Sequence, residues 1–259
     1  MGASQSSQDF QPNLDENNYS IKPQYQESNN VQPIEKTAHS ELGDHAKPME
    51  KTRKTLQLPH NCETILKDAD SPVNKSSMDN LVSQLHSGVF LNQKRKKYWV
   101  NKKLNKNCFM LFARELSITW GGDYRYWHWC YQKDTTSDEY IEVAELLQVC
   151  WLEVHTKFDI AKLSPGTLYQ VVAMVMLRDE AYGWEDAVNF RLTLPNGHKV
   201  ERKETLMNKP KGLWIEIPVG EFTTSSGNSG ELDIYFHEYT AGTWKGGLIL
   251  KGVAILPKN

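Results

Sequence analysis

The sequence predicts an all-β protein, an antiparallel β-sandwich, on three observations. From Lys97 onward apolar and polar residues alternate with a period of two. Gly, Pro and Asn punctuate the short apolar runs, and no long amphipathic helix appears after residue 100. A period of two marks a strand with one buried face, because successive side chains point to opposite sides of a sheet.

In chain order, residues 1–55 hold only 13 apolar residues among Gln, Ser, Asn, Pro and Glu. Such a segment buries too little surface to offset the entropy of ordering it, so a disordered tail is expected. Its opening, Met1-Gly2-Ala3-Ser4-Gln5-Ser6, fits the pattern for N-myristoylation at Gly2. One acyl chain gives only marginal membrane binding, and no second signal lies nearby. Residues 56–96 read as a partly helical linker segment, with Ile65 and Leu66 after Cys62-Glu63-Thr64, then Leu81, Val82 and Leu85 before Gly88. The run Lys94-Arg95-Lys96-Lys97 reads as a solvated linker face, with a nuclear-import or nucleic-acid patch as the alternative.

The domain proper is expected over 97–259. Strand-like runs occupy Val143–Leu147 and Trp151–Val154, and Tyr169–Leu177 suits a buried central strand. Val188, Phe190, Leu192 and Leu194 alternate with polar residues up to Pro195-Asn196-Gly197, a hairpin turn signal. Leu213 to Val219, then Leu232, Ile234 and Phe236, alternate again, and Leu248, Leu250 and Val253 supply the last run.

The composition narrows the function classes. The 259 residues carry 30 Lys and Arg against 32 Asp and Glu, a formal charge of −2. Domains that chiefly grip phosphate backbones usually carry a basic excess. No apolar run is long enough to span a membrane and no secretory signal opens the chain, so cytoplasm or nucleus is the expected compartment. The cysteines Cys62, Cys108, Cys130 and Cys150 lack CxxC spacing and paired histidines, so reduced, mostly buried thiols are expected and no zinc, other metal or cofactor. There is no GxSxG, HExxH, P-loop or GxGxxG, and no enzyme activity is expected. His155, His198 and His237 sit in separate segments and read as surface polar residues.

The densest chemistry is Ser117 to Trp129, where Trp120, Tyr124, Tyr126, Trp127 and Trp129 surround Gly121-Gly122. A turn at the glycines would bring the Trp120 and Trp127 indoles to one surface. Aromatic faces beside polar side chains suit a sugar, whose C–H face stacks while its hydroxyls hydrogen-bond; the alternative is that these tryptophans are core. Glu231 and Glu238 bracket an alternating run. Seven residues of straight strand span roughly 23 Å, whereas a glycosidase pair needs about 5–10 Å. Binding is therefore favoured over hydrolysis.

These segments resemble a known family. Trp120–Trp129, Val143-Ala144-Glu145-Leu146 with Val149-Cys150-Trp151-Leu152, Gly220-Glu221-Phe222 and Thr243–Ile255 are similar to phloem protein 2, the phloem lectin family related to the tobacco agglutinin Nictaba. The resemblance covers about 97–259, and Pro59–Phe90 resembles the upstream segment of phloem members. It implies a jelly-roll-like lectin domain that binds N-acetylglucosamine oligomers and N-glycans, high-mannose types included, in the cytoplasm, nucleus or phloem sap. It also implies a carbohydrate site of Trp120, Trp127, Glu231 and Glu238. Gly121-Gly122 stands where relatives often carry polar residues, and the Lys-rich import run of the tobacco lectin has no counterpart after Trp151. Leu58-Pro59 with Cys62 and Ile65-Leu66 faintly resembles an F-box opening, but the remaining apolar pattern is missing and no ubiquitin-ligase adaptor is expected.

The expected function is thus a non-enzymatic carbohydrate-binding protein whose partners are glycans or glycoproteins. A homodimer would suit a weak single-sugar site. The rival is a structural or interaction protein of phloem filaments or RNA complexes that keeps the domain as a scaffold.

Overall fold

A computed structural model describes residues 58–227 and 229–258; the expected tail and the Gly2 acylation motif lie outside the described residues. In chain order the elements are helix α1 (Cys62–Ile65), a 3₁₀ turn (Leu66–Asp68), helix α2 (Met78–Ser87), and strands β1 (Val89–Leu91), β2 (Lys96–Val100), β3 (Asn107–Phe112), β4 (Ser117–Ile118), β5 (Trp127–Lys133), β6 (Tyr140–Leu146), β7 (Leu152–Asp159), β8 (Leu168–Tyr182), β9 (Val188–Thr193), β10 (Lys199–Glu204), β11 (Ile215–Thr223), β12 (Glu231–Glu238) and β13 (Gly246–Pro257). No described helix is long and apolar enough to cross a membrane.

The strands form two antiparallel sheets, as the alternation predicts. The larger, of eight strands, is organised around β13. One edge of β13 pairs with β8, which carries β11; the other edge is divided, Leu248–Leu250 pairing with β6 and Gly252–Ile255 with β3. The smaller sheet runs β10-β9-β12-β7-β4. Its β9–β10 hairpin closes through Pro195-Asn196-Gly197, where Gly197 has φ +82° and gives its N–H to the Leu194 carbonyl at 2.8 Å.

The inner faces meet in one core. The larger sheet contributes Tyr98, Phe109, Leu111, Val171, Val175, Leu250 and Val253, and the smaller Val154, Phe158, Phe190, Leu192, Leu232, Ile234 and Phe236. Burying such side chains is worth about 1.5–3 kcal/mol each for the aliphatic and Phe residues.

Residues 58–96, expected as a linker, are helical where the periodicity placed helix, and they also join this core. Cys62, Ile65, Leu66, Leu81, Leu85, Val89 and Leu91 are buried in it, and β1 pairs with β2. Fully buried Asn107 ties the segment down: its side-chain amide donates to the carbonyls of His60 (2.7 Å) and Lys162 (2.8 Å). The basic run is a solvated face only in part: Arg95 is exposed and the Lys94 side chain is 41% exposed. Lys94 pairs with Glu139 at 2.6 Å, Lys96 with Glu115 at 2.8 Å, and Lys97 is buried against Asp134 at 2.7 Å. Three of its four cations are thereby matched by carboxylates, leaving little to attract phosphate.

Of the cysteines, Cys62 and Cys108 are buried, whereas Cys130 and Cys150 are half-buried, and all four are free thiols. Burial pushes the Cys108 thiol up to about 12.

Candidate functional site

Trp120 and Trp127 occupy opposite environments. Trp120 keeps 45% of its surface exposed and has φ +57°, a left-handed conformation that a bulky residue rarely adopts. Its ring rests against Tyr126 at 5.1 Å. Trp127 is 2% exposed and sits in the core, its indole N–H donating to the Thr119 carbonyl at 3.2 Å. Trp129, two residues on, donates likewise to the Gly121 carbonyl at 2.6 Å, with the Arg114 guanidinium 3.6 Å over its ring. Gly121 closes the turn by giving its N–H to the Ile118 carbonyl at 2.9 Å. So the Gly-Gly turn forms, but it does not bring two indoles to one surface: Trp127 and Trp129 anchor the loop from beneath and Trp120 faces out.

The two glutamates likewise separate. Glu231 opens β12, exposed, with Lys157 at 3.2 Å. Glu238 ends the same strand and is 1% exposed. It binds the ammonium of fully buried Lys245 at 2.5 Å and accepts the backbone N–H groups of Thr240 (3.1 Å) and Ala241 (3.0 Å). Burial alone would raise the Glu238 carboxyl; Lys245 and these N–H groups reverse that and hold it below its ordinary value. Glu238 thus shapes the turn between β12 and β13, with no free lone pair directed at solvent. The register of this strand with β7 is unbroken from Glu231 to Glu238, so the two carboxylates stand at its opposite ends.

A different group of polar residues is brought together on the outer face of the smaller sheet. The inward half of each alternation makes the core; the outward half of β7, β9 and β12 supplies Glu153, His155, Arg191, Asp233, Tyr235 and His237. With Ser117 and Thr119 from β4 and its exit, most of these line a shallow cleft of about 430 Å³. Glu153 is its hub, accepting from the Tyr235 hydroxyl (2.9 Å), the Trp151 indole N–H (3.0 Å) and the Thr119 hydroxyl (3.0 Å). These bonds, Trp151's first, hold its carboxyl below the usual range. His155 meets Asp233 at 3.1 Å, and the Arg191 guanidinium lies 4.7 Å from the Tyr235 ring centre. Burial, then Arg191, lowers the His237 imidazole below its ordinary value and so favours its uncharged form.

Aromatic rings continue the cleft toward the Trp120 end. Tyr235 and His237 are 4.7 Å apart, His237 and Tyr239 4.6 Å, and Tyr239 and Trp151 stack at 4.2 Å and 15°. Trp151 remains 42% exposed. The backbone N–H of Thr119 bonds the Glu153 carbonyl at 3.0 Å, so the Trp120 turn adjoins this face. Three buried polar atoms here have no hydrogen-bond partner: Arg191 Nε, Asp233 Oδ1 and His237 Nδ1. Buried polar atoms are nearly always satisfied, by protein, water or ligand. Read singly, His155 and His237 gave no such signal. It lay in the register, which puts His155 opposite Tyr235 and His237 opposite Glu153.

On the other sheet, His128, Cys130 and Glu145 bring one potential ligand atom each within 4.8 Å of one another, a grouping their sequence spacing conceals. Arg178 already takes both oxygens of Glu145, at 2.8 and 3.0 Å, and competes with a cation there.

The family pattern described as phloem protein 2 matches residues 106–257. The chain is 49% identical to the PHLOEM PROTEIN 2-LIKE A1 protein of Arabidopsis thaliana over 208 residues, 79% of this chain and 83% of that one. It is 39% identical to a lectin of Luffa acutangula over 207 residues, 79% of this chain and 97% of the lectin. Among solved structures, the CBM22-1 xylan-binding domain of Paenibacillus barcinonensis Xyn10C aligns with 56% of this chain and 87% of its own, at TM-score 0.33 and 11% identity. With most of the β-sandwich inside the family pattern and two relatives this similar over most of their length, the chain belongs to the phloem protein 2 family.

Proposed function

We propose that the protein is a lectin for N-acetylglucosamine oligomers and N-glycans, high-mannose types included, and that the glycan lies on the outer face of the smaller sheet. Trp151 and Trp120 offer exposed indoles for the C–H faces of sugar rings. Asp233, His237 and Arg191 meet hydroxyl and acetamido groups. Trp127 and Glu238 act as positioning residues, holding the Trp120 turn and the β12–β13 turn, and Glu231 lies outside the contact area. Kinship with the Luffa lectin supports the reading.

The observation that carries it is the cleft itself, where three partnerless buried polar atoms lie beside an exposed tryptophan. Its fixed charges, Glu153 and Asp233 against Arg191, leave it slightly negative. A neutral, hydroxyl-rich ligand fits such a surface; a polyanion does not. The left-handed Trp120 points the same way, since strain of this kind persists where a side chain must be presented.

A glycan array, followed by calorimetry with chitotriose at two salt concentrations, tests this. Salt-insensitive binding that falls at least tenfold in Trp151→Ala and Asp233→Asn, and is unchanged in Glu231→Ala, is expected. Binding untouched by both sheet-face variants overturns the placement, and a folded protein that binds no glycan overturns the lectin reading. Binding that collapses with salt would favour the RNA-complex rival.

A further inference from the structure

The opposite side of the sandwich, the outer face of the larger sheet, carries a hollow of about 550 Å³, within the ~300–1,000 Å³ usual for small-molecule sites. One part of its wall is apolar, made by Trp99 from β2, Met110 and Phe112 from β3, Met174 from β8 and Leu256 from β13; the rest is polar, with Ser87, Lys102 and Glu216 among its side chains. From this surface rise two buried ammonium groups, Lys97 and Lys251, 4% and 5% exposed. Both are held by one carboxylate, Asp134, which the β5–β6 loop lowers over the sheet, at 2.7 and 3.0 Å.

The charges do not balance. Asp134 also accepts from the hydroxyls of Thr136 (2.7 Å) and Ser137 (3.0 Å), so its charge is shared among four donors, three on Oδ2 and Lys251 on Oδ1. One carboxylate faces two ammonium groups. The other charged lining residues, Lys102 and Glu216, are of opposite sign. A net positive charge is thus left on buried groups, where an unmatched charge is costly. Of three N–H donors on each lysine, Lys97 uses two, on Asp134 and Thr136 (2.6 Å), and Lys251 two, on Asp134 and Thr135 (3.3 Å). What remains is soft: the Phe90 ring centre lies 5.0 Å from the Lys97 ammonium, and the Trp214 ring centre 5.7 Å from that of Lys251.

We propose that this hollow binds a carboxylate carried on an apolar chain, the carboxylate taking the remaining Lys97 and Lys251 donors and the chain lying on Trp99, Met110, Phe112 and Met174. The anion completes the charge balance that Asp134 leaves half done. The two sheets separate this hollow from the glycan face, so the sites are independent and each stands or falls alone.

Calorimetry of the full chain with sodium octanoate, octan-1-ol and octylammonium chloride at pH 7 tests the proposal. Octanoate is expected to bind at least tenfold tighter than the alcohol, and the ammonium not at all. Lys251→Met leaves Lys97 and Asp134 as a matched pair, so the fold persists and the preference for octanoate over octanol disappears. Met174→Phe fills half-buried space at the wall without touching the charges, and weakens octanoate and octanol alike. Chitotriose binding is the same in both variants. Equal affinity for octanoate and octanol, a preference that survives Lys251→Met, or a folded protein giving no heat with octanoate at millimolar concentration would each overturn it.

Discussion

Trp120 and Trp127 are joined through one residue: the buried Trp127 indole hydrogen-bonds the carbonyl of Thr119, whose successor Trp120 is thereby turned outward. Two tryptophans seven positions apart thus divide presentation and support between them.

That division separates their phenotypes. Trp127→Ala removes a fully buried indole and should cost ~3–5 kcal/mol, visible in chemical denaturation. Trp120→Gly relieves the left-handed backbone and should leave stability unchanged or raise it by up to ~1 kcal/mol, while glycan affinity falls. If Trp127→Ala lost affinity with its stability intact, Trp127 would be a contact residue after all.

Glu238 should act on stability as a function of pH. Its carboxyl is held below its ordinary value in the folded protein, so the stabilisation is fully present above the unfolded value, about 4.3, and is lost as pH falls through the folded one. Glu238→Gln strands the buried Lys245 ammonium and should cost ~3–5 kcal/mol. Denaturation curves at pH 7 and pH 3 should show wild type and variant converging at the lower pH.

Asp134 is the same problem doubled. Burial pushes its carboxyl up, but hydrogen bonds from Lys97, Thr136 and Lys251 more than reverse this and hold it well below the carboxylate range. Asp134→Asn leaves two buried ammonium groups facing one another, and a loss of ~3–5 kcal/mol or more is expected. Lys251→Met should cost far less, because one matched pair remains; denaturation midpoints of the two variants decide.

Gly252 marks a bulge in β13 where the register with β8 shifts. Its φ is +150°, and a Cβ there would stand 1.9 Å from the Leu111 carbonyl oxygen. Gly252→Ala should therefore lose at least ~2–3 kcal/mol, or leave the protein insoluble on expression. A melting temperature within a degree or two of wild type would contradict the close approach of β3 and β13.

The sandwich was legible because its strands alternate. Val188–Thr193 shows in burial the same period it shows in sequence, and Glu231–Glu238 does so except at buried Tyr235. Lys199–Glu204 was not, since its charged residues have no apolar period; a turn and a partner make it a strand. The site was harder. Residue type could not tell an indole that faces a ligand from one that props up a turn, because the difference lies in a hydrogen bond to Thr119. Nor could it show that Glu238 meets Lys245, a partner supplied by the following turn. The cleft around Glu153 was present in the sequence as the polar half of each alternation, but only the register between β7, β9 and β12 assembles it.

The placement of β13 governs the order of assembly. It zips to β8 along one edge and joins β3 and β6 along the other, yet it leaves the ribosome after all three. Until it arrives, those strands have bare edges toward its vacant lane, and the larger sheet exists only as disconnected pieces. Closing it needs pairings across more than a hundred residues of chain, a slow step that exposes nascent protein to sticking edge to edge. Chaperone demand, and the damage done by a stop codon before Gly246, should both trace to this late strand.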